Sequence, residues 1–163
     1  MKNLLLIIAI IFSLQGIAQN RDKELEEIGF SIIDEPPVFP GCETLGSKAE
    51  QKNCFNMKMR KHVQKTFNLG DVNCIDKKKV FNKELNITEE KCIGLEKGIQ
   101  RVYILFKIGK EGDIEDIKVN APHPKLQQEA YRIAKLLPKM KPGLSEGEPV
   151  RVSYALPITF RVE

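Results

Sequence analysis

Tryptophan is absent from this chain, histidine occurs only at His62 and His123, and 26 Lys+Arg against 22 Asp+Glu leave a net charge of just +4. So small an excess argues against a dedicated nucleic-acid binder, which clusters Lys and Arg far more strongly. The two histidines lie away from any cysteine at short ligand spacing, and no two cysteines form a C-x-x-C pair, so neither a zinc site nor a dithiol redox site is expected. Nine prolines rule out a collagen-like or Pro-rich chain. Catalysis finds little support. Ser145 and Ser153 have no evident His or acid partner, His123 sits between prolines as a helix N-terminal residue, and the Glu89/Glu90 pair belongs to a charged stretch. No catalytic residue, cofactor or metal is therefore predicted. With 42% hydrophobic and 29% charged residues over 163 positions, what is present is one compact, mildly basic globular domain.

The amino terminus addresses the chain. Met1-Lys2-Asn3 is a short positive start, an apolar run extends from Leu4 to Phe12, and Gly16 and Ala18 supply small residues for a cut before Gln19. This is the anatomy of a secretory signal peptide over residues 1–18. The alternative is an uncleaved inner-membrane anchor, but a span needs about 20 apolar residues, and Leu4 to Ala18 is only fifteen residues long, with Gln15 and Gly16 weakening its last turn. Export suits the cysteines. Cys42, Cys54, Cys74 and Cys92 form an even set, and an oxidising compartment favours disulfides. Four cysteines allow three connectivities. The expected one is nearest-neighbour, Cys42–Cys54 and Cys74–Cys92, closing two local loops worth roughly 2–4 kcal/mol each.

Three zones follow the leader. Residues 19–36 are charged and end at Pro36-Pro37, which reads as a linker. Val38 to about Gly98 is irregular apart from a helix over Phe55–Phe67, where Phe55, Met59, Val63 and Phe67 recur on one face. Lys77-Lys78-Lys79 reads as a solvated loop. The last zone is strongly patterned. Val102, Ile104, Phe106 and Ile108 alternate as a strand, Gly109–Gly112 is a turn, and Ile114–Val119 is a weaker return strand. Leu126, Ala130, Ile133, Ala134 and Leu137 make a helical stripe, and Val150 to Val162 alternates without a miss.

These elements predict an α+β fold: a three-stranded antiparallel sheet (ββαβ) with helices on one face, preceded by a disulfide-bearing helical and irregular segment. Residues 37–163 would form the domain, with its core in 98–163. Placing the last strand beside the first puts it at an edge, and Pro157, lacking an N–H, supports that position. A long edge strand is a liability unless it dimerises, is covered by the N-terminal zone, or captures a peptide.

The stretch from Gly98-Ile99-Gln100-Arg101-Val102 to Ile108, the turn ending at Gly112, the helix from Leu126 through Leu137-Pro138 to Pro142-Gly143, and Pro149-Val150-Arg151-Val152-Ser153-Tyr154-Ala155-Leu156-Pro157-Ile158-Thr159-Phe160 together resemble the C-terminal domain of TonB. Pro37-Val38-Phe39-Pro40-Gly41-Cys42-Glu43, with Cys54 and the following helix, looks like the version found in Bacteroidetes-type bacteria. The resemblance implies a periplasmic domain that takes part in energised transmembrane transport by binding the TonB box of TonB-dependent outer-membrane receptors. The box would add as a strand beside the last strand, so Val150, Arg151, Val152, Ser153, Tyr154, Ala155, Leu156, Pro157, Ile158, Thr159 and Phe160 are the expected receptor-binding residues. About five net hydrogen bonds at ~1 kcal/mol each give millimolar to micromolar affinity. Arg151 and Arg161 would either meet acidic groups on the receptor or serve as solvated edge charge.

The chain also departs from that pattern. A full transducer needs a membrane helix to engage its inner-membrane motor proteins, and a long spacer. Here Gln19–Glu35 is seventeen residues, at most ~60 Å when stretched. Motor proteins become partners only if the leader is retained. Residues Gly70 to Lys97 form an insertion carrying Cys74 and Cys92. The competing reading is a secreted, disulfide-stabilised interaction or structural protein that forms a homodimer through its edge strand.

Overall fold

The computed structural model describes residues 27–70 and 73–163. The leader expected over 1–18 lies outside the described residues, as does the linker up to residue 26. No helix among the described residues is long and apolar enough to cross a membrane. The described elements in chain order are β1 (Glu27–Gly29), α1 (Lys48–Thr66), β2 (Asp76–Asn82), β3 (Ile87–Ile93), β4 (Gly98–Ile108), β5 (Ile114–Asn120), α2 (Pro124–Lys135), β6 (Gly143–Ser145) and β7 (Glu148–Val162).

The fold is α+β, as the periodicity predicts, but the sheet is larger and mixed. Its order is β1-β7-β4-β5, β6 pairs with β7, and β2–β3 is a separate two-stranded sheet. β4 pairs antiparallel with both β5 and β7, the latter without a register break from Gly98↔Val162 to Ile108↔Val152. That is the three-stranded antiparallel core expected from the sequence. Two short strands were not foreseen. β6 folds back on β7, and β1 pairs with β7 in parallel on the side away from β4, which makes the sheet mixed. Segments of three residues are too short to show a period of two.

β1 corrects the linker reading as well. Within the stretch from Gln19 to Glu35, Phe30 and Ile33 are buried in the core. Phe30 stacks 4.6 Å from Phe55 and 5.0 Å from Tyr154, and Phe55 lies 5.1 Å from Tyr154. Pairs of this kind each add about 0.5–1.5 kcal/mol beyond burial. The charge around Phe30 disguises a segment held in place by Phe30 and Ile33, with Ile28 packed partly buried beside them.

α1 begins seven residues before the apolar stripe does. Ser47 caps it: its Oγ accepts from the Glu50 N–H, and the Glu50 carboxylate accepts from the Ser47 N–H, both at 3.2 Å. This reciprocal pair satisfies free helix-end donors, so the polar turns before Phe55 stay helical. Cys54, Phe55 and Met59 are buried beneath α1. α2 starts at Pro124, with His123 as its cap accepting from the Lys125 N–H at 3.1 Å. Its stripe Leu126, Ala130, Ile133 and Ala134 is buried against the sheet. The helices are tied together by His62, which donates from Nε2 to the Ile133 carbonyl at 2.9 Å, and by Arg132, which donates to the Thr66 carbonyl at 2.6 Å.

Both disulfides have the nearest-neighbour connectivity. Cys42–Cys54 fastens the segment before α1 to the helix, with Cys42 fully buried. Cys74–Cys92 staples the base of the β2–β3 hairpin. That hairpin is the second correction: Lys77, Lys78 and Lys79 lie in strand β2, not in a loop, although they are exposed as expected. The consecutive Lys residues of β2 and the Glu89-Glu90-Lys91 run of β3 hide two strands that have no buried face to announce them. At the β4–β5 turn, Gly112 has φ +87°, and a Cβ there would collide with the Met140 carbonyl, so only glycine fits.

Two outcomes check this architecture. Phe30→Ala should destabilise the protein by about 3 kcal/mol, read as a lowered urea midpoint at constant slope; a mere tether would show no shift. Glu129 accepts from Arg132 and from the Asn68 N–H, each at 2.7 Å, and the Arg132 hydrogen bond above all holds its carboxyl below the usual value of 4.5. A depressed folded pKa stabilises the fold above the unfolded value and loses that effect as pH falls through the folded one. Glu129→Gln should cost about 1 kcal/mol at neutral pH and flatten the decline in stability below about pH 4.5.

Candidate functional site

β7 is the longest strand, and its two edges have different fates. Toward β4 the ladder is continuous from Val152 to Val162. Toward the other side, Glu27, Ile28 and Gly29 pair with Arg151, Val152 and Ser153, and the Phe30 N–H donates to the Ser153 carbonyl at 3.1 Å. The chain then turns away, because the Ile32 and Ile33 N–H groups both bond back to the Gly29 carbonyl. Beyond Ser153 no described strand pairs with this edge.

The expected docking strand is therefore divided, which corrects the reading of one open edge from Val150 to Phe160. Val150 is opposite Gly143 of β6, and Arg151 to Ser153 are taken by β1. Tyr154, Ala155, Leu156, Pro157, Ile158, Thr159 and Phe160 keep an unpaired side among the described residues. Coverage by the N-terminal zone, one of the three remedies for a long edge, is realised over three residues only.

Which groups the open half offers follows from strand geometry. The N–H and C=O of one residue point to the same side, and the side alternates along the strand. Ser153 points its carbonyl at β1, so Ala155, Pro157, Thr159 and Arg161 point outward too, while the even-numbered residues face β4. Pro157 thus spends its missing N–H on the unpaired side, where it breaks no ladder bond. The open row holds the N–H of Ala155, Thr159 and Arg161 and the C=O of Ala155, Pro157, Thr159 and Arg161.

Side chains alternate as well. Val152, Leu156, Ile158 and Val162 are buried under the helices, with Tyr154 and Phe160 half-buried, whereas Arg151, Ala155, Pro157, Thr159 and Arg161 are exposed on the opposite face. Arg151 is engaged by Glu115 at 3.2 Å, so it is not a free charge awaiting a receptor. The rigid backing of the strand comes from α1. Tyr154 donates from its hydroxyl to Asn56 Oδ1 at 2.8 Å, and Phe160 stacks on Phe67 at 5.6 Å. Burial pushes the Tyr154 hydroxyl above its usual pKa, with the nearby Arg60 charge acting the other way. Asn56 and Arg60 were not singled out from sequence. They sit one position beyond Phe55 and Met59, at the boundary of the apolar stripe, and nothing in that spacing says which sheet edge the boundary faces.

Among the described residues no three His, Cys, Asp or Glu side chains are grouped to hold a metal ion. His123 is a helix cap and His62 a helix-to-helix tie. What the site can do is pair a main chain.

No curated protein matches the chain. Residues 96–162 match the family model described as the Gram-negative bacterial TonB protein C-terminal, which is non-enzymatic. The match runs through β4, β5, α2, β6 and β7; β1, α1 and both disulfides lie outside it. The part of the chain from residue 96 to residue 162 is a TonB C-terminal domain, and with it comes a role in TonB-dependent energy transduction to outer-membrane receptors.

Proposed function

We propose that this protein is a periplasmic TonB-like module that captures the TonB box of an outer-membrane receptor as an added strand on the open half of β7, from Tyr154 to Val162. The observation that carries this reading is the unpaired row of main-chain groups at Ala155, Pro157, Thr159 and Arg161, held straight by β4 on one side and backed by α1. Strand addition draws affinity from such groups and selectivity from alternate side chains. At ~1 kcal/mol net per bond, the row supports roughly 5–7 kcal/mol, a dissociation constant in the micromolar to millimolar range. That strength suits a contact that must be made and released.

β1 sets where the visitor stops. Phe30 is locked between Phe55 and Tyr154, and Lys52 donates to the Ser31 carbonyl at 3.1 Å, so the covering segment is anchored and does not yield to a peptide. The docked strand ends against Phe30 and Ser31. The two disulfides fit an extracytoplasmic location. A retained leader would make the protein a transducer engaging the inner-membrane motor; a cleaved one would make it a soluble accessory that binds receptors without transmitting force.

Titration with receptor TonB-box peptides should give micromolar to millimolar binding to a monomer. Thr159→Pro removes one outward N–H in the manner already tolerated at Pro157, and should weaken binding about fivefold while the unfolding midpoint changes little. A stable dimer without peptide affinity would instead support self-association through the same row, and undiminished binding by Thr159→Pro would place the peptide elsewhere.

A further inference from the structure

The flank of α1 that stands over the open half of β7 is basic and carries no carboxylate. Two contacts fix its course: Asn56 meets Tyr154 near one end of the open stretch, and Phe67 meets Phe160 near the other. The helix therefore runs alongside the strand in the same direction, and eleven helical positions, about 16 Å, accompany six strand positions, about 20 Å. Arg60 follows Asn56 by one turn and so lies on the same flank, close enough for its charge to act on the Tyr154 hydroxyl. A surface depression of about 520 Å³ on this side is lined by Asn53, Asn56, Met57, Arg60, Lys61 and Gln64, all of them on α1. Met57 is well exposed, and among the described residues neither Arg60 nor Lys61 is placed in an ion pair.

A strand added beyond β7 lies about 4.8 Å further out in the sheet, and its side chains alternate between the two faces. Those on the helix side face this flank; those on the other side face the row of Ala155, Pro157 and Thr159 side chains. We propose that the outer flank of α1 is the side wall of the docking groove, and that Arg60 selects a peptide carrying a carboxylate side chain on its helix-facing side. The inference rests on the strand-addition reading and adds to it the chemistry of the partner: an extended acidic peptide, with its acidic residue at alternate positions only. Asn56, held by Tyr154, fixes the near end of the wall, and Lys61 strengthens the same field one position on.

The test uses synthetic nine-residue peptides of alternating Thr and Val in which one Glu is walked through every position, each with a matched Gln peptide, titrated by fluorescence anisotropy against the intact protein. Glu should bind about three- to fivefold more tightly than Gln at alternate positions, and the preference should shrink as salt rises. Arg60→Gln should abolish the preference, and Arg60→Glu should transfer it to a Lys-bearing peptide. Lys118→Gln, on β5, should leave it intact. Arg60 is exposed, so these variants should keep the wild-type unfolding midpoint. A Glu effect equal at all positions, or one that survives Arg60→Gln, overturns the role given to Arg60. If the peptides bind and Thr159→Pro weakens them without any Glu preference, strand addition stands and the side wall falls. If none binds, both fall.

Discussion

The five-stranded sheet and the helices packed on it are arranged around one strand that has more backbone to satisfy than its neighbours can take up. β7 runs for fifteen residues from Glu148 to Val162, and on one side β4 follows it without a slip from Val152 onward. On the other side β1 supplies three partners and stops. Buried main-chain groups must find partners, whereas groups at a solvent edge can wait for them in water. The open half of β7 is of the second kind. Its core-side residues are packed, so the strand cannot relax into a loop, yet its outer amides and carbonyls are left to solvent.

The N-terminal part of the chain, outside the stretch matched by the TonB C-terminal family, supplies that rigidity. Phe30, Phe55 and Tyr154 form one aromatic cluster, with Phe39 and Phe106 within 6.1 Å and 5.5 Å of its members. The cluster seats β1, α1 and β7 against each other, and Cys42–Cys54 fastens the same region covalently. One set of contacts thereby does three things. It blocks the first part of the β7 edge, it stiffens the second, and it seats α1 against the open half of the strand. The β2–β3 hairpin takes no part in this: it buries almost nothing and relies on its own disulfide.

The legible parts of the fold are those in which burial imposes a period. Val102 through Ile108, the α2 stripe and Val150 through Val162 alternate or repeat because one face of each is packed, and their pairing order follows from Pro157 and the lengths of the connections. The disulfide connectivity follows from short loop closure. Elements whose stability comes from elsewhere left no period. β1 depends on a few aromatic and aliphatic anchors, Phe30 and Ile33 foremost, inside a charged segment, the first turns of α1 on a cap at Ser47, and β2–β3 on a cross-link between Cys74 and Cys92. The candidate site was half legible for the same reason. Alternation locates the strand that must lie at an edge, but the three residues that cover part of it are too few to betray themselves, and the flank residue Arg60 reads as an ordinary solvated charge.

Strand addition, as proposed here, would also explain why partial coverage is better than none. A bare edge of fifteen residues would invite any exposed strand, including another copy of this one, since main-chain bonds carry no sequence information. Shortening the open row to Tyr154–Val162 limits what non-specific pairing can gain. Pro157 takes away one donor in the middle of that row, so a second β7 laid against it antiparallel would forfeit a bond on each strand. A peptide partner need bring no proline of its own and meets that gap only once. Discrimination then falls to side chains, and the side of the groove able to supply it is the one bounded by a helix. In the proposed docking mode, a fixed stop at Phe30, one missing donor at Pro157 and a charged wall at Arg60 would turn an adhesive edge into a surface with register and preference.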